Sequence, residues 1–173
     1  MAGISDVYRR FVLDGEPIVT GFAAVGDAWA CTNPSAGRGL TVGLIHASAL
    51  RAAVREQPAD PVAFQLGWDQ VTQERVAPFY HSLLAVDRAR GAEIIALCEG
   101  RDPAPPDPLR ARLLHTAGHD GDAFRAMVEL LSCLAPPQEI FARPGFVDGL
   151  DQPGSLPALP GPDREQLLDL LTA

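Results

Sequence analysis

The sequence predicts a mainly α-helical chain carrying a short β element at its N-terminus. Three observations carry that prediction. From Leu40 onward, apolar residues recur at helical rather than alternating spacing. Two Asp-Pro pairs, Asp60-Pro61 and Asp107-Pro108, are helix-start signals that place an N-cap acceptor directly before a proline in the first turn. Strand-like patterning is confined to residues 11–25, where Asp14-Gly15 separates Phe11-Val12-Leu13 from Ile18-Val19 as a hairpin turn does.

Taken in order, Tyr8-Arg9-Arg10 reads as a polar lead-in, a turn or a frayed helix. The hairpin follows, with Pro17 confined to an edge or bend because it lacks an N–H. Phe22 to Val25 reads as a buried strand, and Leu40 to Glu56 as a helix. A second helix runs from Asp60 to about Ala77, with Val62, Phe64, Leu66, Val71 and Val76 as its apolar positions. Pro78 kinks it or opens a third helix, which runs to Cys98 and stops at Gly100. Arg101 to Pro108 is a proline-rich linker. Helices then cover 108–115 and 123–134, with a short turn near 138–142 and a final helix over 162–171. Two regions result, a β-plus-helix region over 1–57 and a helical region over 58–173.

Composition narrows the function classes. A chain of 173 residues with 47% hydrophobic content is long enough for a real core. The formal charge of -8 argues against nucleic acid, whose phosphates need a basic surface. No stretch reaches the length of a membrane span, and the Met-Ala-Gly-Ile-Ser-Asp start lacks the basic-then-apolar pattern of a signal peptide. Cys31, Cys98 and Cys133 are an odd set without metal spacing, which suits a reducing cytoplasm.

The chemistry is concentrated between Thr20 and Glu56. An apolar run ends at Val25, Gly26-Asp27 turns the chain, and Asn33-Pro34-Ser35-Ala36-Gly37-Arg38-Gly39 leads into the helix that begins at Leu40-Thr41. Strand, glycine-rich loop and helix aim backbone N–H groups and the positive end of a helix at a ligand. Asp27 suits a hydroxyl-bearing ligand, because a carboxylate only accepts hydrogen bonds. Gly37 and Gly39 allow close approach of the backbone, and Leu40 and Thr41 offer N–H groups. Arg38, between the glycines, is either a solvated loop cation or an attractor for an anionic ligand.

Gly26-Asp27, six residues, then Pro34-x-x-Gly37-x-Gly39 before a helix resembles the second FAD-binding motif of the flavoprotein monooxygenases, the family of p-hydroxybenzoate hydroxylase. The resemblance spans roughly a quarter of the chain. It implies the C-terminal fragment of an α/β, Rossmann-like FAD-binding fold, with Gly26, Asp27, Pro34, Gly37, Arg38, Gly39, Leu40 and Thr41 around the flavin and ribityl side of the cofactor. The implied reaction is flavin reduction by NAD(P)H, oxygen capture and oxygenation of a small organic substrate. Two departures accompany it. Trp29-Ala30 stands where the family usually reads alanine and histidine, and no G-x-G-x-x-G fingerprint precedes the motif. The isolated chain is therefore expected to hold FAD weakly and to be inactive. An upstream FAD-domain chain, or self-association through residues 11–25, would complete it. The alternatives are a split chain needing a fingerprint-bearing partner, and a non-catalytic helical interaction module.

Other chemistry-bearing residues read blandly. Trp29 either packs beside the cofactor or fills space, Trp68 is core, and His46 is buried or faces a partner. His115 and His119 have the spacing of a helical metal pair, but Gly118 and Gly121 end the helix that would align them. No metal is expected.

Overall fold

A computed structural model describes residues 6–56, 59–152, 154, 162 and 164–172. It is mainly helical, with very short strands near the N-terminus. Strand β1 (Val7–Tyr8) pairs antiparallel with β4 (Ala30–Cys31), and β2 (Val12–Leu13) pairs with β3 (Glu16–Pro17). Seven helices are described: α1 (Gly39–Glu56), α2 (Pro61–Arg75), α3 (Ala77–Cys98), α4 (Pro108–Thr116), α5 (Gly121–Leu131), α6 (Pro137–Phe141) and α7 (Arg164–Thr172).

The hairpin forms where its turn chemistry demands. Asp14 (φ 51°) and Gly15 (φ 81°) both take the left-handed conformation of a type I′ turn. Two expectations need correction here. The lead-in at Tyr8 is not a frayed helix but β1, held by pairing with a segment far along the chain. Phe22 to Val25 is not a strand: Val25 is extended (φ -135°, ψ 143°), yet the run forms no ladder. An extended segment becomes a strand only when a neighbour accepts and donates its hydrogen bonds, and none of the described residues does so here.

The helix signals hold. Asp60 Oδ1 accepts from the N–H groups of Val62 and Ala63, and Asp107 Oδ1 accepts from Arg110 N–H. Pro78 lies in the first turn of α3, so it opens that helix rather than kinking α2. Gly100 (φ 67°) terminates α3.

Helices α1 and α2 pack through inward stripes at helical spacing: Val42, His46 and Ala49 on α1, Gln65, Trp68 and Thr72 on α2. Of the apolar positions expected on α2, Val76 is buried and Phe64 and Val71 are half-buried, but Val62 and Leu66 are exposed. The partners of α1 decide the face, because its buried imidazole needs polar and aromatic neighbours. A first core gathers Ala24, Trp29, Val42, Val76, Phe79 and Tyr80, so the N-terminal region shares its core with α3. A second gathers Leu113, Ala126, Ile140 and Leu150 around α4, α5 and α6. Among the described residues no helix is long and apolar enough to cross a membrane.

Candidate functional site

Gly26–Ala28 closes a single 3₁₀ turn in which Trp29 N–H donates to Gly26 O at 2.9 Å. Gly26 has φ 58°, and a Cβ there would stand 3.5 Å from the Cα of Gly43. Two glycines, one on the turn and one on α1, thus bring two backbones into contact. From this turn Asp27 projects into solvent, whereas Trp29 turns inward.

The hydrogen bonds at the turn come from residues distant in sequence. His46 on α1 is fully buried, and its Nδ1 accepts from Gly26 N–H at 3.3 Å. Its Nε2 lies 3.0 Å from Thr72 Oγ1. Because Nδ1 accepts, the ring proton of the neutral imidazole sits on Nε2 and points at Thr72. The imidazole stacks on Trp68 (centroids 4.6 Å, 14°) and meets Trp29 edge-on (4.9 Å, 73°). Burial lowers its pKa to about 4. At the other end of the turn, Arg9 Nη1 donates to Asp27 O and Ala28 O, each at 3.2 Å.

The rest of the loop is pinned in turn. Asn33 Nδ2 donates to Asp87 Oδ1 on α3 at 3.1 Å. A 3₁₀ turn at Pro34–Ala36 leads to Gly37 (φ 66°), whose N–H donates to Pro34 O at 3.0 Å. Helix α1 then starts at Gly39, with Val42 N–H donating to Arg38 O at 3.0 Å. A Cβ at Gly39 would stand 3.8 Å from Thr32 Oγ1 and 3.9 Å from Asp27 Oδ1. The Asp27 carboxylate and the Thr32 hydroxyl therefore flank the first turn of α1.

Of the residues singled out in the motif, Gly26, Asp27 and Gly39 converge, while Pro34 and Gly37 shape the loop between them. Leu40 is 77% exposed and Thr41 half-buried at the helix start, whose leading N–H groups have no acceptor within the helix. Arg38 is half-buried, and its charge opposes the upward push that burial gives the Cys133 thiol. That push keeps Cys133 protonated and unreactive. The arrangement offers an exposed carboxylate that accepts hydrogen bonds from hydroxyls. Beside it, a helix end offers donors and positive potential.

Sequence reasoning missed Arg9, Thr32 and Gly43, and left the role of His46 open. One signal was readable: Gly43 and His46 lie three residues apart on the helix that follows the motif, and so share a face. Trp29 resolves as core, packed against Tyr8, Tyr80 and His46. The rings of His115 and His119 are 5.5 Å apart, but His119 Nε2 meets Asp151 Oδ2 at 2.7 Å. No metal-binding cluster occurs among the described residues.

Two clefts lie away from the loop. One of about 470 Å³ is lined by Thr116, Asp122, Arg125, Glu129, Arg143 and Leu150, and both of its arginines are paired with carboxylates. The other, of about 360 Å³, is an apolar groove between Phe22, Leu50, Val54, Pro61 and Phe64. Compared with protein-family models, curated proteins and solved structures, the chain matches none.

Proposed function

We propose that the chain supplies the flavin and ribityl half of an FAD site in a cytoplasmic, monooxygenase-like oxidoreductase. The observation that carries this reading is the exposed Asp27 carboxylate beside Gly39 in the first turn of α1. The residues present fit that half of the cofactor. Asp27 and Thr32 suit ribityl hydroxyls, the start of α1 at Leu40 and Thr41 suits the carbonyl edge of the ring, and Gly37 leaves open space where a side chain would stand. They do not fit the adenine half, for which this chain has no G-x-G-x-x-G loop. That half comes from a separate segment, which completes the α/β nucleotide-binding fold. When bound, the flavin supplies the redox chemistry, with NAD(P)H as reductant and a small organic molecule as substrate.

The reading is tested by following backbone amide resonances of the full chain during titration with FAD, riboflavin and AMP. FAD and riboflavin are expected to shift Gly26 to Thr41 with weak affinity, and AMP to leave them unmoved. Asp27→Asn should weaken flavin binding by about tenfold or more, the value of a hydrogen bond to a charged acceptor. Silence of these amides at millimolar flavin sinks the proposal, and tight stoichiometric FAD binding sinks the division into halves.

A second reading, a helical interaction module, is favoured by the apolar surface. Phe22 is exposed where it lines the apolar groove, Ile18 and Val19 are exposed just before it in the chain, and Phe124, Val128 and Leu131 form an exposed stripe along α5. Apolar patches of this kind mark interfaces. Self-association through residues 11–25 predicts a mass above the 18.4 kDa of the monomer in size-exclusion chromatography with light scattering. Ile18→Glu combined with Phe22→Glu should restore the monomer. A monomeric wild type at about 100 µM, a level at which micromolar dimers are populated, removes that contact.

A further inference from the structure

The turn that carries Asp27 is held at its two ends by groups of opposite chemistry. Its leading N–H, at Gly26, is taken by the Nδ1 of buried His46, and its trailing carbonyls, at Asp27 and Ala28, are taken by the Arg9 guanidinium. We propose that His46 is the positioning residue of the candidate site: as the Nε2–H tautomer, it holds the Gly26–Asp27 turn through Nδ1 and so aims the Asp27 carboxylate at the first turn of α1. The assignment rests on the flavin reading for its biological meaning, but its geometry stands apart from it.

Three features converge on His46. The imidazole is fully buried, so each nitrogen needs a partner, and each has one: Gly26 N–H for Nδ1 and Thr72 Oγ1 for Nε2. Trp68 and Trp29 fix the ring from its face and its edge, leaving Nδ1 a single direction in which to accept. Gly26 then supplies the positive φ (58°) that the turn needs, and its backbone lies against Gly43 on α1, with a Cβ at Gly26 falling 3.5 Å from the Gly43 Cα. The hold is asymmetric in role. The Nδ1 bond reaches the loop, whereas the Nε2 bond only ties α1 to α2.

Isosteric replacement separates the two bonds. An Asn side chain places its amide near the Nδ1 position and a Gln near Nε2. His46→Asn therefore keeps an acceptor for Gly26 and loses Thr72, and His46→Gln does the reverse. In the full chain without flavin, His46→Gln is expected to speed hydrogen exchange at the Gly26 amide by about tenfold, and His46→Asn to change it by less than about threefold. Long-range ¹H–¹⁵N spectra of the wild type are expected to show the neutral Nε2–H tautomer at pH 7. In titrations with FAD, the affinity of His46→Gln should fall by about tenfold relative to His46→Asn. Equal loss of Gly26 protection in both variants overturns the proposal, since a general packing role would do that. So does an Nδ1–H tautomer in the wild type, a measurement that needs no variant to fold. Exchange and tautomer are read without flavin, so they decide the role of His46 even where the wild type gives no response to FAD.

Discussion

Replacing Trp29 with alanine is expected to destabilise the chain by about 3–5 kcal/mol, the range for deleting a buried large aromatic. The indole is 3% exposed and sits where the N-terminal strand pair, the motif turn, α1 and α3 meet. It meets the Tyr8, Tyr80 and His46 rings edge-on at 5.4, 6.0 and 4.9 Å, so truncation removes aromatic contacts as well as buried area. Against a total stability of about 5–15 kcal/mol for a domain of ordinary size, that is a large share. Urea denaturation followed by far-ultraviolet circular dichroism measures it. The loss should extend to the site, because the indole packs edge-on against the His46 imidazole whose Nδ1 accepts from Gly26 N–H. A cost below about 1 kcal/mol, the level of an ordinary surface substitution, would mean that the indole is not the centre of this core.

Acidification is expected to produce the second large effect, through His46. The group titrates near 6.5 when unfolded and at about 4 in the fold, where burial disfavours the charged imidazolium. Above pH 6.5 the ring is neutral in both states and pH has no effect through it. Between about 6.5 and 4 the unfolded chain binds a proton that the folded chain refuses, so stability falls as pH falls. Below the folded value both states are protonated and the loss levels off. At about 1.4 kcal/mol for each pH unit between the two values, the full loss is of the order of 3 kcal/mol. Comparing wild type with His46→Asn at pH 7, 5.5 and 4 isolates this term, because the carboxylates common to both chains cancel. Parallel pH profiles for the two proteins would show that the imidazole is not shielded from protonation. The Gly26 amide should lose its acceptor over the acid end of the same range, so the candidate site is expected to loosen before the helices do.

Local signals were enough for the helices and the hairpin. Asp60-Pro61, Asp107-Pro108 and Gly100 act within one helical turn of themselves, and Asp14-Gly15 needs only its own two residues to reverse the chain. The candidate loop was legible for the same reason. Its positive-φ glycines, Gly26 and Gly37, and the helix start at Gly39 are properties of contiguous chain. What surrounds the loop was not legible, because it is assembled from segments far apart in sequence. Strand β1 exists only because Ala30–Cys31 lies beside it, and Phe22 to Val25 fails to be a strand because no such neighbour comes. The inward face of α2 was misread for a related reason. Hydrophobic spacing favours Val62 and Leu66, but the fold exposes both and buries Gln65 and Thr72 beside the expected Trp68, with Thr72 and Trp68 meeting the imidazole of α1. A period reports which residues avoid water on average. A buried polar group instead selects its neighbours by hydrogen bonding, and only the packed structure brings His46, Thr72 and Gly26 within reach of one another.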